Sequence, residues 1–417
     1  MLSDELTGYN QKDIRVFNRM SVFRIIFDNR AISRVKIARL TGLNPATVTH
    51  IVKELIDHGW VEQSGKESTV ATFGRPRSAL QIKADAGYIL SVSIERYAME
   101  VAITDLCLNR LVYRSLKPAQ TEGSYADYLK VDEAFDFLEQ AFVESGLTVD
   151  QVLGIGIAAP GPIDVATGTL LNIPNFPGWS GLPICQILSD RLGIPVQITR
   201  DADAYALAEK WFGVAKDLDN FVAVVAATGI GGSLVFNGDI YCGANYMAGE
   251  LGHVTINPAG GRCDCGNFGC LELYASPQNV ARRVVKAIES GQESSISDLV
   301  AGAHLHITFE DVIQAALAGD ALCLRVMRET IDFLAIALVA TINIVDPEAV
   351  VFGGKFVLLE PFMDETVQAE LQQRIFANPI RNVPFLFGTL ADKTPLQGAY
   401  ALVLRDLFQN PSGQSRF

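Results

Sequence analysis

Three cysteines stand within eight positions in GRCDCGNFGCLE (261–272), spaced Cys263-x-Cys265-x4-Cys270, and His253 lies ten residues ahead in GELGH. Three thiolates and one imidazole are the donor set of a closed tetrahedral zinc site. Gly266 and Gly269 let the loop fold back so that the sulfurs can face one point. A disulfide would need oxidising surroundings and would leave an odd cysteine among seven. A nucleophilic or redox thiol has no local base other than His253. The spacing predicts one structural zinc on His253, Cys263, Cys265 and Cys270. Cys107, Cys185, Cys242 and Cys323 are isolated and read as packing residues.

Acidic residues surround this loop. Glu250 lies three residues before His253 and Glu272 two after Cys270. Asp201 closes PVQITRD, at the end of a predicted strand, where α/β sheets present ligand-facing groups. Asp201, Glu250, His253 and Glu272 together suit the hydroxyls of a sugar. His253 could serve both purposes, one ring nitrogen on the metal and the other on a second contact. For Glu250 and Glu272 the alternative is ordinary surface charge. ATGIGGSLVFNG (227–238) reads as strand, glycine turn, strand. Its bare amides could cradle phosphate oxygens, or it could be a plain glycine hairpin.

The elements that must position these groups fall into two compositionally distinct parts. Net charge is −13 overall, yet residues 1–84 hold 13 Lys and Arg against 8 Asp and Glu. That asymmetry suggests a basic module on an acidic body, with chance clustering as the alternative. In the basic part, Val22, Ile25 and Ile26 recur at helical spacing, and Ser33 is a candidate N-cap for a helix over 34–41. Gly42 permits a sharp turn, and Pro45 opens the next helix, whose apolar stripe is Val48, Ile51, Val52 and Leu55. Asn44, Ala46, Thr47, Thr49, His50 and Lys53 are left facing outward.

Helix, glycine turn and helix in this order is helix-turn-helix geometry, in which the second helix enters a major groove. Arg34, Lys36, Arg39 and Lys53 would meet phosphates, and the short side chains would approach base edges. WVEQSGKESTVATFGRPRSALQIK then reads as two strands around a loop, a wing. Its Arg75 and Arg77 flank a proline as in a minor-groove insertion. A helical protein-interaction domain is the competing reading; charge, turn and wing together favour DNA.

From residue 84 onward strands alternate with helices, which implies α/β units around mixed sheets. YILSVSIE, EVAITDL, VLGIGIAAPG, PVQITRD, FVAVVAATGIGGSLVFNG and AVVFGG read as strands. EAFDFLEQAFVES, ALAEKWFG, NVARRVVKAIES, LRVMRETIDFLAIALVATINIV and LQGAYALVLRDLF read as helices. GIGIAAPG and ATGIGGS, two glycine-bearing strand ends, suggest two related lobes with a cleft between them. FLAIALVATINIV is too short to span a bilayer. No basic segment followed by an apolar run opens the chain, so the expected compartment is the reducing cytoplasm.

ATGIGGSLVFNG, GELGH and CDCGNFGCLE together resemble the signature of the ROK family of repressors and sugar kinases. With the N-terminal module, the chain resembles its Mlc/NagC/XylR type of repressor, the Mlc-like branch most of all. The resemblance implies a two-lobed actin-like/sugar-kinase α/β fold behind a winged helix-turn-helix domain. The expected boundaries are 1–83 for the DNA-binding domain and 84–198 for the first lobe, completed by a C-terminal helix 394–408. The second lobe is then 199–393, with the zinc site and dimerisation helices. It also implies that Asp201 matches the kinases' catalytic base, Glu250, His253 and Glu272 their sugar contacts, and His253, Cys263, Cys265 and Cys270 their zinc ligands. Gly229, Gly231 and Gly232 match a phosphate loop, and Gly353-Gly354 a nucleotide-side turn.

Two departures argue against catalysis. Family kinases carry Asp-x-Gly-Gly-Thr on the first strand, where this chain has Ser93-Ile94-Glu95-Arg96-Tyr97. Bulk and the Glu95 charge there disfavour a polyphosphate. Where kinases have Asn-Asp-x-Asn, this chain has Arg200-Asp201-Ala202-Asp203. The expectation is a non-enzymatic repressor of sugar uptake or metabolism genes, binding palindromic operator DNA as a homodimer or tetramer. The resemblance implies release by a sugar or sugar phosphate, or by capture on the glucose-specific phosphotransferase enzyme IIB domain. The alternative is an active ATP-dependent hexose kinase fused to a DNA-binding domain.

Overall fold

The computed structural model describes residues 11–29, 31–66, 78–95, 98–117, 129–173, 176, 178–296, 307–377, 380–390 and 394–409. The basic part forms α1 (Gln11–Asn29), α2 (Arg34–Thr41), α3 (Pro45–Asp57), β1 (Val61–Lys66) and β2 (Ser78–Ile82). Asn44 caps α3 by accepting from the Ala46 amide at 2.9 Å, and Pro45 takes the first helical position. The apolar stripe of α3, Val48, Ile51, Val52 and Leu55, is buried in one cluster with Met20, Val22, Phe23, Ile26 and Ile37. β1 and β2 pair antiparallel from Val61↔Ile82 to Lys66↔Ser78, giving the two strands of the expected wing. Arg75 and Arg77 lie outside the described residues.

The body holds two five-stranded sheets. The first is built from β3 (Tyr88–Glu95), β4 (Ala98–Asp105), β5 (Arg110–Leu116), β6 (Val152–Ala159) and β9 (Val196–Arg200), in the order β5-β4-β3-β6-β9. Between them lie α4 (Val131–Ser145), the small hairpin β7 (Ile163–Asp164) and β8 (Thr169–Leu170), and α5 (Ile184–Leu192). α6 (Asp201–Phe212) leads to the second sheet. That sheet comprises β10 (Phe221–Ala226), β11 (Ile230–Phe236), β12 (Asp239–Ile240), β13 (Ala349–Gly354) and β14 (Phe385–Phe387), in the order β12-β11-β10-β13-β14. In each sheet the first strand pairs antiparallel with the second and parallel with the fourth.

The lobes are therefore topological copies, but not through the passages that suggested it. GIGIAAPG belongs to the fourth strand of its sheet, whereas ATGIGGS joins the first two strands of the other. The true counterpart of ATGIGGS is the β3–β4 hairpin.

Helices α7 (Glu272–Ala275), α8 (Pro277–Glu289), α9 (Phe309–Leu317) and α10 (Ala321–Val345) cover the second sheet, with α11 (Glu365–Arg374) beyond. Asp320 caps α10 by accepting from the Cys323 amide at 2.8 Å and also accepts from Ser294 and Ser295. Among the described residues no helix is long and apolar enough to cross a membrane.

The C-terminal α12 (Thr394–Gln409) packs on β3, β6 and β9 and lies along α6. The two helices approach so closely at Gly398 that a Cβ there would stand 1.9 Å from the Ala204 carbonyl oxygen. Tyr400, Val403, Leu404, Leu407 and Phe408 of α12 share one apolar cluster with α1, α2 and α3. The basic N-terminal module thus has no core separate from the first lobe.

Candidate functional site

Each outward residue of α3 is exposed: Ala46, Thr47, Thr49, His50 and Lys53, with the cap residue Asn44 before them. Lys36 and Arg39 on α2 are exposed and Arg34 is half-buried. Three of these groups already have internal partners. Asn44 caps the helix, Thr49 donates to the Pro45 carbonyl at 2.8 Å, and His50 Nε2 lies 3.2 Å from Glu54 Oε1. Arg15 of α1 donates to the same carboxylate. Among the described residues, Ala46 and Thr47, with Lys53 beside them for phosphates, remain an exposed face of the kind that enters a groove. Glu54 and Arg15 were missed in the sequence; a Glu four residues after His50 on a helix was the available signal.

Further into the body, the strand-end residue Arg200 sets the electrostatics where the lobes meet. Its guanidinium donates to both carboxylate oxygens of Asp203, Nε at 2.8 Å and Nη2 at 3.0 Å. Nη1 donates to Glu250 at 2.9 Å, and Ser233 Oγ of β11 donates to Asp203 at 2.7 Å. Arg200 and Asp203 are 5% and 3% exposed in their side chains, against 44% for Glu250. Burial opposes the Arg200 charge, and Asp203 and Glu250 outweigh it, so its pKa is held above the ordinary value. Removing one member of such a buried pair costs roughly 3–5 kcal/mol. The cluster ties the first sheet to the second.

The other acids are placed separately. Asp201 is exposed, and its Oδ1 accepts from the Ala202 amide at 2.7 Å at the start of α6. Glu272, at the start of α7, accepts from the Ile230 amide at 2.9 Å. It thereby occupies the glycine turn, and a Cβ on Gly229 would lie 2.1 Å from its carboxylate. A Cβ on Gly232 would meet the Gly249 carbonyl at 2.5 Å. Close packing against Glu272 and the GELGH segment thus accounts for these glycines without any phosphate. A Cβ on Gly353 would strike the Tyr205 ring, so packing accounts for that glycine as well. The sequence drew attention to Glu250 and Glu272, marked Asp203 only as a departure from the kinase pattern, and gave no sign of Ser233. Only the i,i+3 spacing of Arg200 and Asp203 hinted at that pair.

The thiolate loop is the most compact constellation. His253 ends a short turn (Leu251–His253), and Cys270 immediately precedes Leu271, the N-cap of α7. Gly266 and Gly269 have φ of 95° and 62°, the left-handed conformation that folds the loop back. One donor atom from each of His253, Cys263, Cys265 and Cys270 lies within 4.8 Å of every other. Cys263 Sγ is 3.8 Å from His253 Nδ1, and Cys265 Sγ is 3.7 Å from Cys270 Sγ. A tetrahedron with zinc–sulfur bonds of about 2.3 Å has edges of about 3.8 Å, which these two separations match. Burial pushes the Cys270 thiol up to about 12 and raises Cys263. Three sulfurs so close together can carry charge jointly only with a dication between them, which this donor set could hold.

Comparison with known proteins adds to this geometry. Residues 98–406 match the ROK family and residues 18–68 match the MarR family. A putative xylose repressor from Caldicellulosiruptor sp. (strain Rt8B.4) is 30% identical over 96% of this chain and 99% of its own length. A crystal structure of a ROK family transcriptional regulator, homologous to the E. coli Mlc protein, is 27% identical, with a TM-score of 0.79 over 95% of this chain and 97% of that one. A ROK family glucokinase from Streptomyces griseus shares the body fold, at 24% identity and a TM-score of 0.64, over 76% of this chain and 99% of that one. With the family match running through both sheets from β4 to α12, the chain belongs to the ROK family.

Proposed function

We propose that this chain is a DNA-binding transcriptional repressor of sugar uptake or metabolism genes, and that its body is a degenerate sugar kinase that senses an effector and holds the oligomer together. The observation that carries the reading is the exposed row on α3, Ala46, Thr47 and Lys53, flanked by Lys36 and Arg39. The relative named a putative xylose repressor and the Mlc-homologous regulator support it. The proposed units are 1–83 for DNA, 84–198 with 394–408 for the first lobe, and 199–393 for the second. His253, Cys263, Cys265 and Cys270 would hold one structural zinc, which cross-links the loop and performs no chemistry on substrate.

The proposed effector contacts are Asp201, Glu250, His253 and Glu272. Arg200 is neutralised by Asp203 and Glu250. The remaining acids favour a neutral sugar over a sugar phosphate. Capture by a phosphotransferase enzyme IIB domain is the protein-mediated alternative for release. The body is proposed not to phosphorylate. Glu95 stands exposed at the end of β3, where a polyphosphate would be repelled, and Glu272 already takes the Ile230 amide.

Footprinting on operator DNA, with and without neutral sugars, their phosphates and the enzyme IIB domain, tests the reading. Protection of a palindromic site relieved by one of these is expected. A chain that protects no DNA sequence overturns the repressor assignment, and hexose-dependent ATP consumption overturns the degenerate body.

A further inference from the structure

α6 touches the lobe junction at one end and the DNA-binding module at the other. Arg200 immediately precedes its first turn and joins Asp203 and Glu250. Eleven residues on, about 16 Å along a helix, Trp211 reaches the module. Its ring stacks on Phe408 of α12, with centroids 5.8 Å apart and planes 13° from parallel. It also meets the edge of Phe27 of α1 at 6.3 Å, and the Arg24 guanidinium lies over it at 4.9 Å. Phe27 and Phe23 of α1 both rest on Phe408 as well.

Nothing between these ends can absorb a displacement. The segment DADAYALAEKWF contains neither glycine nor proline, and every residue from Ala202 to Glu209 is buried. Close-packed elements shift as rigid bodies rather than deform. A movement imposed at Arg200 therefore arrives at Trp211, where it meets Phe408 of α12 and, on α1, Phe27 and Arg24.

We propose that Trp211 is a positioning residue for DNA binding: its stacked contact with Phe408, Phe27 and Arg24 sets the angle of the DNA-binding module on the body and transmits to α1 any shift of α6 that begins at the Arg200–Asp203–Glu250 cluster. The proposal rests on the repressor reading above and specifies how the body regulates the module.

The test is a double-mutant cycle with two readouts on the full-length chain. Glu250→Ala opens the cluster at its exposed member, and Trp211→Ala removes the contact. The first readout is affinity for a duplex that the wild-type chain selects from a random-sequence library. The second is deuterium uptake by residues 20–29 of α1. Glu250→Ala alone is expected to weaken the selected duplex by about fivefold or more and to raise α1 uptake. In the Trp211→Ala background both responses disappear, and Trp211→Phe, which keeps an aromatic face, restores them. Should Trp211→Ala fail to fold, Trp211→Leu takes its place in the cycle. Independent, multiplying effects of the two substitutions, or α1 uptake indifferent to Glu250→Ala, overturn the proposal. A responsive α1 in a chain that selects no duplex supports the Trp211 coupling and overturns the repressor reading instead.

Discussion

The two sheets share strand order and sense, yet the hairpins joining their first two strands have opposite chemistry. In the first sheet Glu95 pairs with Ala98 across a two-residue connection, and the sequence around it, Ile94-Glu95-Arg96-Tyr97, contains no glycine. In the second, Ala226 pairs with Ile230, and Gly229, Gly231 and Gly232 keep the turn bare enough for Glu272 and the Gly249 carbonyl to close on it. The same topology thus accommodates a first hairpin whose sequence carries bulk and charge. It demands glycine where a neighbouring loop leans on the backbone. A glycine turn in this fold therefore reports close packing as readily as phosphate binding.

The largest expected effect comes from removing the proposed metal ligands of that neighbouring loop. Cys263→Ser should abolish bound zinc, measured by metal analysis, and with it operator binding in a mobility-shift assay. A zinc-free variant with wild-type operator affinity would separate the loop from DNA binding. Gly232→Ala should cost about 1–3 kcal/mol in urea unfolding, because the new Cβ meets the Gly249 carbonyl. An unchanged midpoint would return the glycines to a ligand role.

Asp320→Ala should cost about 0.5–2 kcal/mol, since it removes the α10 cap from the second lobe. Burial works against the Asp320 charge, but hydrogen bonds from Cys323, Ser294 and Ser295 prevail and hold its pKa at about 2. A depressed carboxylate stabilises the fold fully above its unfolded value of 3.8 and loses that contribution as pH falls towards 2. The wild-type advantage over Asp320→Ala should accordingly fade across that window in pH-dependent melts. The smallest effect belongs to the DNA-binding module. Lys53→Ala should weaken all duplexes alike and reduce the slope of log affinity against log salt by about one.

Much of this was legible in the chain, for identifiable reasons. The α3 stripe and its Pro45 start are local patterns, whereas the Asn44 cap emerged only in the structure. The strands with continuous apolar runs, such as Val152–Ala159, are buried on both faces and therefore plain to read. β5 was not anticipated because only Val112 of its seven residues is buried, and α11 because only Leu371 is. The lobe duplication was inferred from the wrong pair of passages, since strand order is not written in any local motif.

What the sequence determined by itself is the donor chemistry and its spacing. Thiols two to seven residues apart around two glycines can converge on one ion with little help from the rest of the molecule. Tertiary structure decided the partners of the charges. Arg200 finds Glu250 fifty residues away because the end of β9 in the first sheet and the Gly249–Glu250 segment beside the second are brought together in the fold. It also decided that Trp211 should meet α1, nearly two hundred positions distant in sequence. Apolar faces on α1, α6 and α12 had to be buried together, and no local pattern encodes which faces meet.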